Sequence, residues 1–180
     1  VCIDTVGARP EICNGQLSWR STIPMSATFV DRVGASILQA TLRRIKGGYK
    51  LAEGGFVSTS DTLAGDPKYG FPCPWIATHF RKNDQAWKAY HSSNDTPSVL
   101  SPNGLKTCAV GMAGYLYYLA NLDTPGVLDL AQSETDRTEA QLSATRSSET
   151  ADYLRQQHHI TLNHLQRWLW TGDRSKILTR

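Results

Sequence analysis

The chain lacks any apolar run of about eighteen residues, so it encodes no membrane-spanning helix. It lacks a strong charge of either sign. Nineteen Lys and Arg against sixteen Asp and Glu leave a net charge of +3, too weak and scattered for a duplex-binding face, so nucleic acid is not an expected partner. It has no Cys-x-x-Cys pair, which removes zinc-ribbon and thioredoxin-type chemistry. It has no Gly-x-Ser-x-Gly elbow, no phosphate-binding glycine loop, no internal repeat and no low-complexity tract. No motif calls for a cofactor or metal. What is present is a composition 40% hydrophobic and only 19% charged, with five Trp in 180 residues. Such a chain can bury a substantial core.

Four cysteines remain: Cys2, Cys13, Cys73 and Cys108. An even count without metal spacing suits two disulfides in an oxidising compartment. Of the three possible connectivities, Cys2–Cys13 with Cys73–Cys108 is preferred. The first bond would close a short loop at the N-terminus, and the second would tie a helix to a strand. Asn94-Asp95-Thr96 is a glycosylation sequon in a polar loop. The start at Val1 and the end at Arg180 resemble the products of leader removal and of a basic-site protease, which again suggests a secreted, cleaved precursor. The dibasic Arg43-Arg44 would then have to be hidden by folding.

Apolar spacing predicts a helix over 26–46, from Val30 and Val33 to Leu42 and Ile45, stopped by Gly47-Gly48. Asn14-Gly15 suits a hairpin turn between short edge strands. A strand is expected over 49–60, broken at Gly54-Gly55. A short helix is expected over 73–82 and an alternating strand over 85–91. Two further strands, 105–112 and 115–120, would be joined by Ala113-Gly114, and a short helix over 127–131 would close the body. At residue 132 the composition turns polar. Residues 132–171 read as one long helix or a helix pair, with Leu154, His158, Leu162, Leu165 and Leu169 on one stripe. The expected fold is α+β: a small α/β sandwich, with an antiparallel sheet carrying helices on one face, and a C-terminal helical extension. The body would be residues 1–131 and the tail 132–180.

Candidate chemistry is sparse. Ser58-Thr59-Ser60 after Gly-Gly-Phe-Val suggests a mono-ADP-ribosyltransferase arrangement, but that chemistry needs a downstream glutamate. None occurs between Glu53 and Glu134. The hydroxyls more simply turn the chain before Asp61. His158, His159 and His164 are spaced one, five and six apart, so one helix does not aim them together at a metal. Tyr115, Tyr117 and Tyr118, with Trp75 and Trp87, form an aromatic-rich region, read as core packing first and as a sugar- or lipid-binding face second. Trp168, Leu169 and Trp170, flanked by Arg167 and Arg174, are the candidate contact with a surface or membrane, unless they dock on the body.

Several pieces taken together carry a resemblance. They are Gly55-Phe56-Val57 with Ser58-Thr59-Ser60; Cys73-Pro74-Trp75-Ile76-Ala77; Ala86-Trp87-Lys88; Thr107-Cys108-Ala109-Val110-Gly111; and Asp123 with Val127-Leu128-Asp129-Leu130. Through them residues 54–131 resemble the fungal secreted necrosis-inducing effector domain, also found attached to killer-toxin-like chitinases. That resemblance implies secretion, a virulence or toxin role, a helix-borne cysteine at 73 paired with a strand cysteine at 108, and a small α/β sandwich similar to killer-toxin subunits. The expected function is a secreted toxin or effector subunit, more binding protein than enzyme. It would act on a target-cell surface component (glycan, lipid or receptor), with a possible second chain from the same precursor. The alternative is a receptor-binding or structural subunit of a processed viral envelope protein, suggested by the leucine stripe and the terminal Arg.

Overall fold

The computed structural model describes residues 1–59, 61–66, 68–69, 71–78 and 85–169, the side chains of 85 and 87 excepted. In chain order the elements are β1 (Cys2–Ile3), β2 (Gln16–Arg20), α1 (Phe29–Arg44), β3 (Lys50–Gly54), β4 (Trp75–Ala77), α2 (Gln85–Ala89), α3 (Pro102–Ala120), α4 (Thr124–Ala144) and α5 (Ser148–Gln166). The fold is α+β with a C-terminal helix, as expected. The sheet is mixed, in order β1-β4-β2-β3, and not antiparallel as expected, because the crossover through α1 returns β3 parallel to β2. β2 runs parallel to β3 and antiparallel to β4, and β1 runs parallel to β4.

β2, α1 and β3 form a parallel βαβ crossover, which needs a helix to carry the chain back. The start of α1 is set by Asp31. Its carboxylate accepts the Thr28 N–H at 3.1 Å and the Thr22 N–H at 2.6 Å. It thereby caps the helix and fixes the loop leading into it. Burial outweighs these bonds and holds the Asp31 carboxyl above the usual carboxylate range. Arg43 and Arg44 sit in the last turn, favourable to the helix dipole. The buried face of α1, including Phe29, Val33 and Leu38, covers the sheet.

Trp19 is the joint between strand and helix. Its indole N–H donates to the Asp31 carbonyl at 2.7 Å, and its ring meets Tyr115 of α3 edge-on at 5.8 Å. Gly34 leaves the space that ring occupies. α3 packs on α1, with Gly111 against Leu38 and Thr41, and buries Gly104, Thr107, Cys108, Gly111, Met112 and Tyr115 at helical spacing. α5 is docked: Leu165 and Leu169 belong to the same core as Val127 and Ala131 of α4.

Several expectations are corrected. Residues 105–112 and 115–120 are not strands but most of α3. Their aromatic and β-branched residues mimic strand, yet the glycines serve close helix packing: a Cβ on Gly111 would stand 2.7 Å from Leu38. The 73–82 segment holds β4 where it is described, with residues 79–82 outside the described set. β4 lies between β1 and β2 and is buried on both faces, so alternation is lost. The alternating 85–91 segment contains the helix α2, its period-two pattern being too short to decide. Asn14 and Gly15 do turn, with φ of 54° and 60°, but β2 pairs with β3 and β4, so no hairpin forms there. Strand structure stops at Gly54. The 132–171 region is a helix pair whose first member begins at Thr124, so the polar switch at residue 132 falls inside α4.

The packing at Gly34 yields a test. A Cβ there would stand 2.1 Å from the Trp19 ring. Gly34→Ala is expected to lower unfolding free energy by about 1–3 kcal/mol, read from the urea midpoint. Gly55→Ala, whose Cβ meets nothing within 4 Å, should leave the midpoint nearly unchanged.

Candidate functional site

All four cysteines are free thiols, so the expected Cys2–Cys13 and Cys73–Cys108 bonds are not formed. The topology explains why. β1 lies beside β4, with the Cys2 N–H on the Pro74 carbonyl at 2.8 Å, so the neighbouring thiol felt by Cys2 is Cys73. Cys13 lies in the turn facing α3, and Cys108 feels that thiol. Burial, reinforced by Asp61 and Asp4, pushes Cys2 up to about 11, and burial pushes Cys108 up to about 11. Neither is a thiolate nucleophile at neutral pH. Cys73 precedes a strand and Cys108 sits in a helix, the reverse of the element types the resemblance implied. Asn94 lies in an exposed turn. Thr59 and Thr62 bond to each other, and Thr62 Oγ1 also donates to the Val57 carbonyl, closing a local turn.

The three histidines diverge. His159 is exposed, His164 borders an apolar groove, and His158 lines a polar cleft. That cleft, about 500 Å³, lies where the carboxyl ends of β2 and β3 meet α1 and the α4–α5 pair. Its charges centre on Glu134, which is 5% exposed. Glu134 takes Arg32 Nε at 2.5 Å and also Arg32 Nη2, while Arg137 Nη2 reaches it at 3.2 Å. Arg137 continues to Gln141 at 3.1 Å. Burial and the adjacent Arg137 lower Arg32 to about 10, so both guanidiniums remain charged at neutral pH. Thr138 Oγ1 donates to the Glu134 carbonyl at 2.8 Å and lies 3.4 Å from His158 Nδ1. Its proton is committed, so it accepts from Nδ1–H and is no activated nucleophile. Burial and Arg137 lower the pKa of His158.

The second feature is apolar. α3 carries a single charge, Lys106, in 19 residues. Beyond its packed face it presents Leu105, Val110, Leu116 (53% exposed) and Tyr117 (72% exposed) to solvent. Leu116 and Leu119 continue into a groove of about 350 Å³ that Phe71 and Trp168 also line. His164 and Arg167 border that groove and no carboxylate does. Of the residues expected at a surface, Trp168 is 43% exposed and packs edge-on against Phe29 at 6.1 Å. Leu169 is 3% exposed and belongs to the core, a correction that follows from α5 docking on the body. Trp170 lies outside the described residues. Tyr115 and Trp75 are buried, whereas Tyr117 is not. Sequence reading missed the cleft, since Arg32, Glu134 and His158 are far apart in the chain. It also missed the face of α3, whose one signal was a 19-residue stretch with one charge.

No family model, no curated protein and no solved structure matches the chain.

Two outcomes are expected of the charged cluster. Glu134→Gln should lower stability by about 2–3 kcal/mol, less than a fully buried broken pair because both guanidiniums reach solvent. His158 and His164 both have pKa values lowered by burial. The unfolded chain therefore binds more protons than the folded one just below the ordinary histidine range. The denaturation midpoint should fall as pH drops below about 6.5, and His158→Gln should flatten part of that slope.

Proposed function

We propose that the chain is a secreted effector or toxin-type subunit that acts by binding, and that its target is a lipid surface. The observation carrying this reading is the continuous apolar face from Val110 and Tyr117 of α3, through Leu116, to Phe71 and Trp168. A helix apolar on all sides is ordinarily buried, and large exposed apolar patches mark interaction surfaces. The groove is bordered by Arg167 and His164, with Lys106 at the far end of α3 and no acid on that helix. Apolar and aromatic side chains edged by Arg167 and Lys106, with no carboxylate at the groove, suit an anionic bilayer interface. No helix among the described residues is long and apolar enough to cross a membrane, so the contact proposed is peripheral. The leucines Leu165 and Leu169 are engaged with the chain's own core, so the docked C-terminal helix offers little support to the viral-subunit reading.

Co-sedimentation with phosphatidylcholine vesicles, with and without phosphatidylserine, tests this. Binding is expected to the anionic vesicles and to weaken with salt. Leu116→Asp should weaken it by about tenfold or more, since a buried Leu contributes about 1.5–3 kcal/mol. No binding to either vesicle, or a stable dimer in light scattering that Leu116→Asp dissolves, would sink the lipid reading and assign the face to a second copy.

A further inference from the structure

The polar cleft on the other side of α1 holds cationic groups that the fold does not fully employ. Arg32 from α1 and Arg137 from α4 share the one buried carboxylate of Glu134. After those bonds and the one to Gln141, Arg32 Nη1 and Arg137 Nε have no hydrogen-bond partner among the described residues. His158 Nε2 is likewise without one, its Nδ1 being turned to Thr138. The other carboxylates of the cleft are placed differently. Asp31 is turned to the Thr22 and Thr28 N–H groups, and Glu53 is exposed at the end of β3. The rest of the lining is suited to a hydroxylated ring: Gln141, Gln157 and Ser21 as hydrogen-bonding groups, and Tyr153 as a half-exposed aromatic platform. The position also fits. In sheets with parallel βαβ units, ligands bind beyond the carboxyl ends of the strands, and this cleft lies beyond Arg20 of β2 and Gly54 of β3.

We propose that this cleft is a binding site for an anionic saccharide, a sugar ring bearing one carboxylate or phosphate, with the anion held between Arg32 and Arg137 and the ring lying toward Tyr153, Gln157 and His158, whose Nε2 can accept a sugar hydroxyl. The remaining donors, Arg32 Nη1 and Arg137 Nε, can each give a charge-assisted hydrogen bond to one oxygen of such a group. The cleft is of a size that takes a small ligand. The inference uses none of the residues of the lipid-facing surface and stands independently of it.

Calorimetric titration of the full chain with glucuronate, glucose 6-phosphate, glucose and inorganic phosphate tests the site. Saturable binding of glucuronate or glucose 6-phosphate, with none for glucose, is expected, and which of the two binds tells carboxylate from phosphate. Arg137→Gln should weaken that binding by about tenfold or more, while circular dichroism shows the fold retained. Tyr153→Ala, at an exposed position that carries no core contact, should weaken the sugar ligand but not inorganic phosphate. Histidine NMR signals should show His158, and not His159, shifting on saturation. Absence of saturable binding by either charged sugar at millimolar concentration overturns the proposal. So does binding unchanged in both Arg137→Gln and Tyr153→Ala, or inorganic phosphate binding as tightly as glucose 6-phosphate.

Discussion

The contact between Trp19 and the first turn of α1 is the constraint on which the rest of the molecule depends. One residue, Asp31, serves it twice. Its carbonyl receives the indole N–H, and its carboxylate holds the backbone N–H groups of Thr22 and Thr28. The bonds join the end of β2, the loop and the helix start into one unit. Because Gly34 lacks a side chain, the indole lies flush against the helix, and its edge meets Tyr115 of α3. Sheet, crossover helix and second layer thus meet at a single residue. Arg32 follows Asp31 in the chain, so the same turn that caps α1 also points a guanidinium at Glu134 across the cleft.

α3 shows how one helix can serve packing and exposure together. Gly104 admits the Tyr49 hydroxyl, and Gly111 admits Leu38. Each allows an approach that a methyl group would block. The inner face is therefore close-packed, with Met112 and Tyr115 as its large residues, and Leu105, Val110, Leu116 and Tyr117 are left to the outside. A soluble helix normally reserves that outer face for charge. Here the outer face is apolar, and the groove at its end continues to Trp168. The polar cleft and the apolar face lie on separate linings with no residue in common.

The legible part of the fold was the part whose signals are local. α1 could be read from its apolar spacing and its Gly-Gly stop, and its observed bounds differ by a few residues from those expected. The helical C-terminal region was equally plain, as was the turn at Asn14-Gly15. β4 was not legible, because a strand buried on both faces has no alternation to show. α3 was misread because Thr107, Val110 and its tyrosines favour strands by propensity, while the helical period of its buried residues emerges only once the packed face is known. The exposure of Trp168 was within reach of sequence reading, but the burial of Leu169 was not.

By itself the sequence determined the α+β class, the helix α1, the helical C-terminal region, and the want of a membrane-spanning helix or a closely spaced cysteine pair. Each follows from composition and from residues a few positions apart. Tertiary structure decided which thiols are neighbours, since β1 had to find β4 across some seventy residues. It also decided that glycine-rich 102–120 is a helix, and that Arg32, Arg137 and His158 share one cleft, with Glu134 bonding both guanidiniums from outside its lining. Those outcomes depend on close approach between distant segments, and the free energy of such contacts is a property of the assembled core.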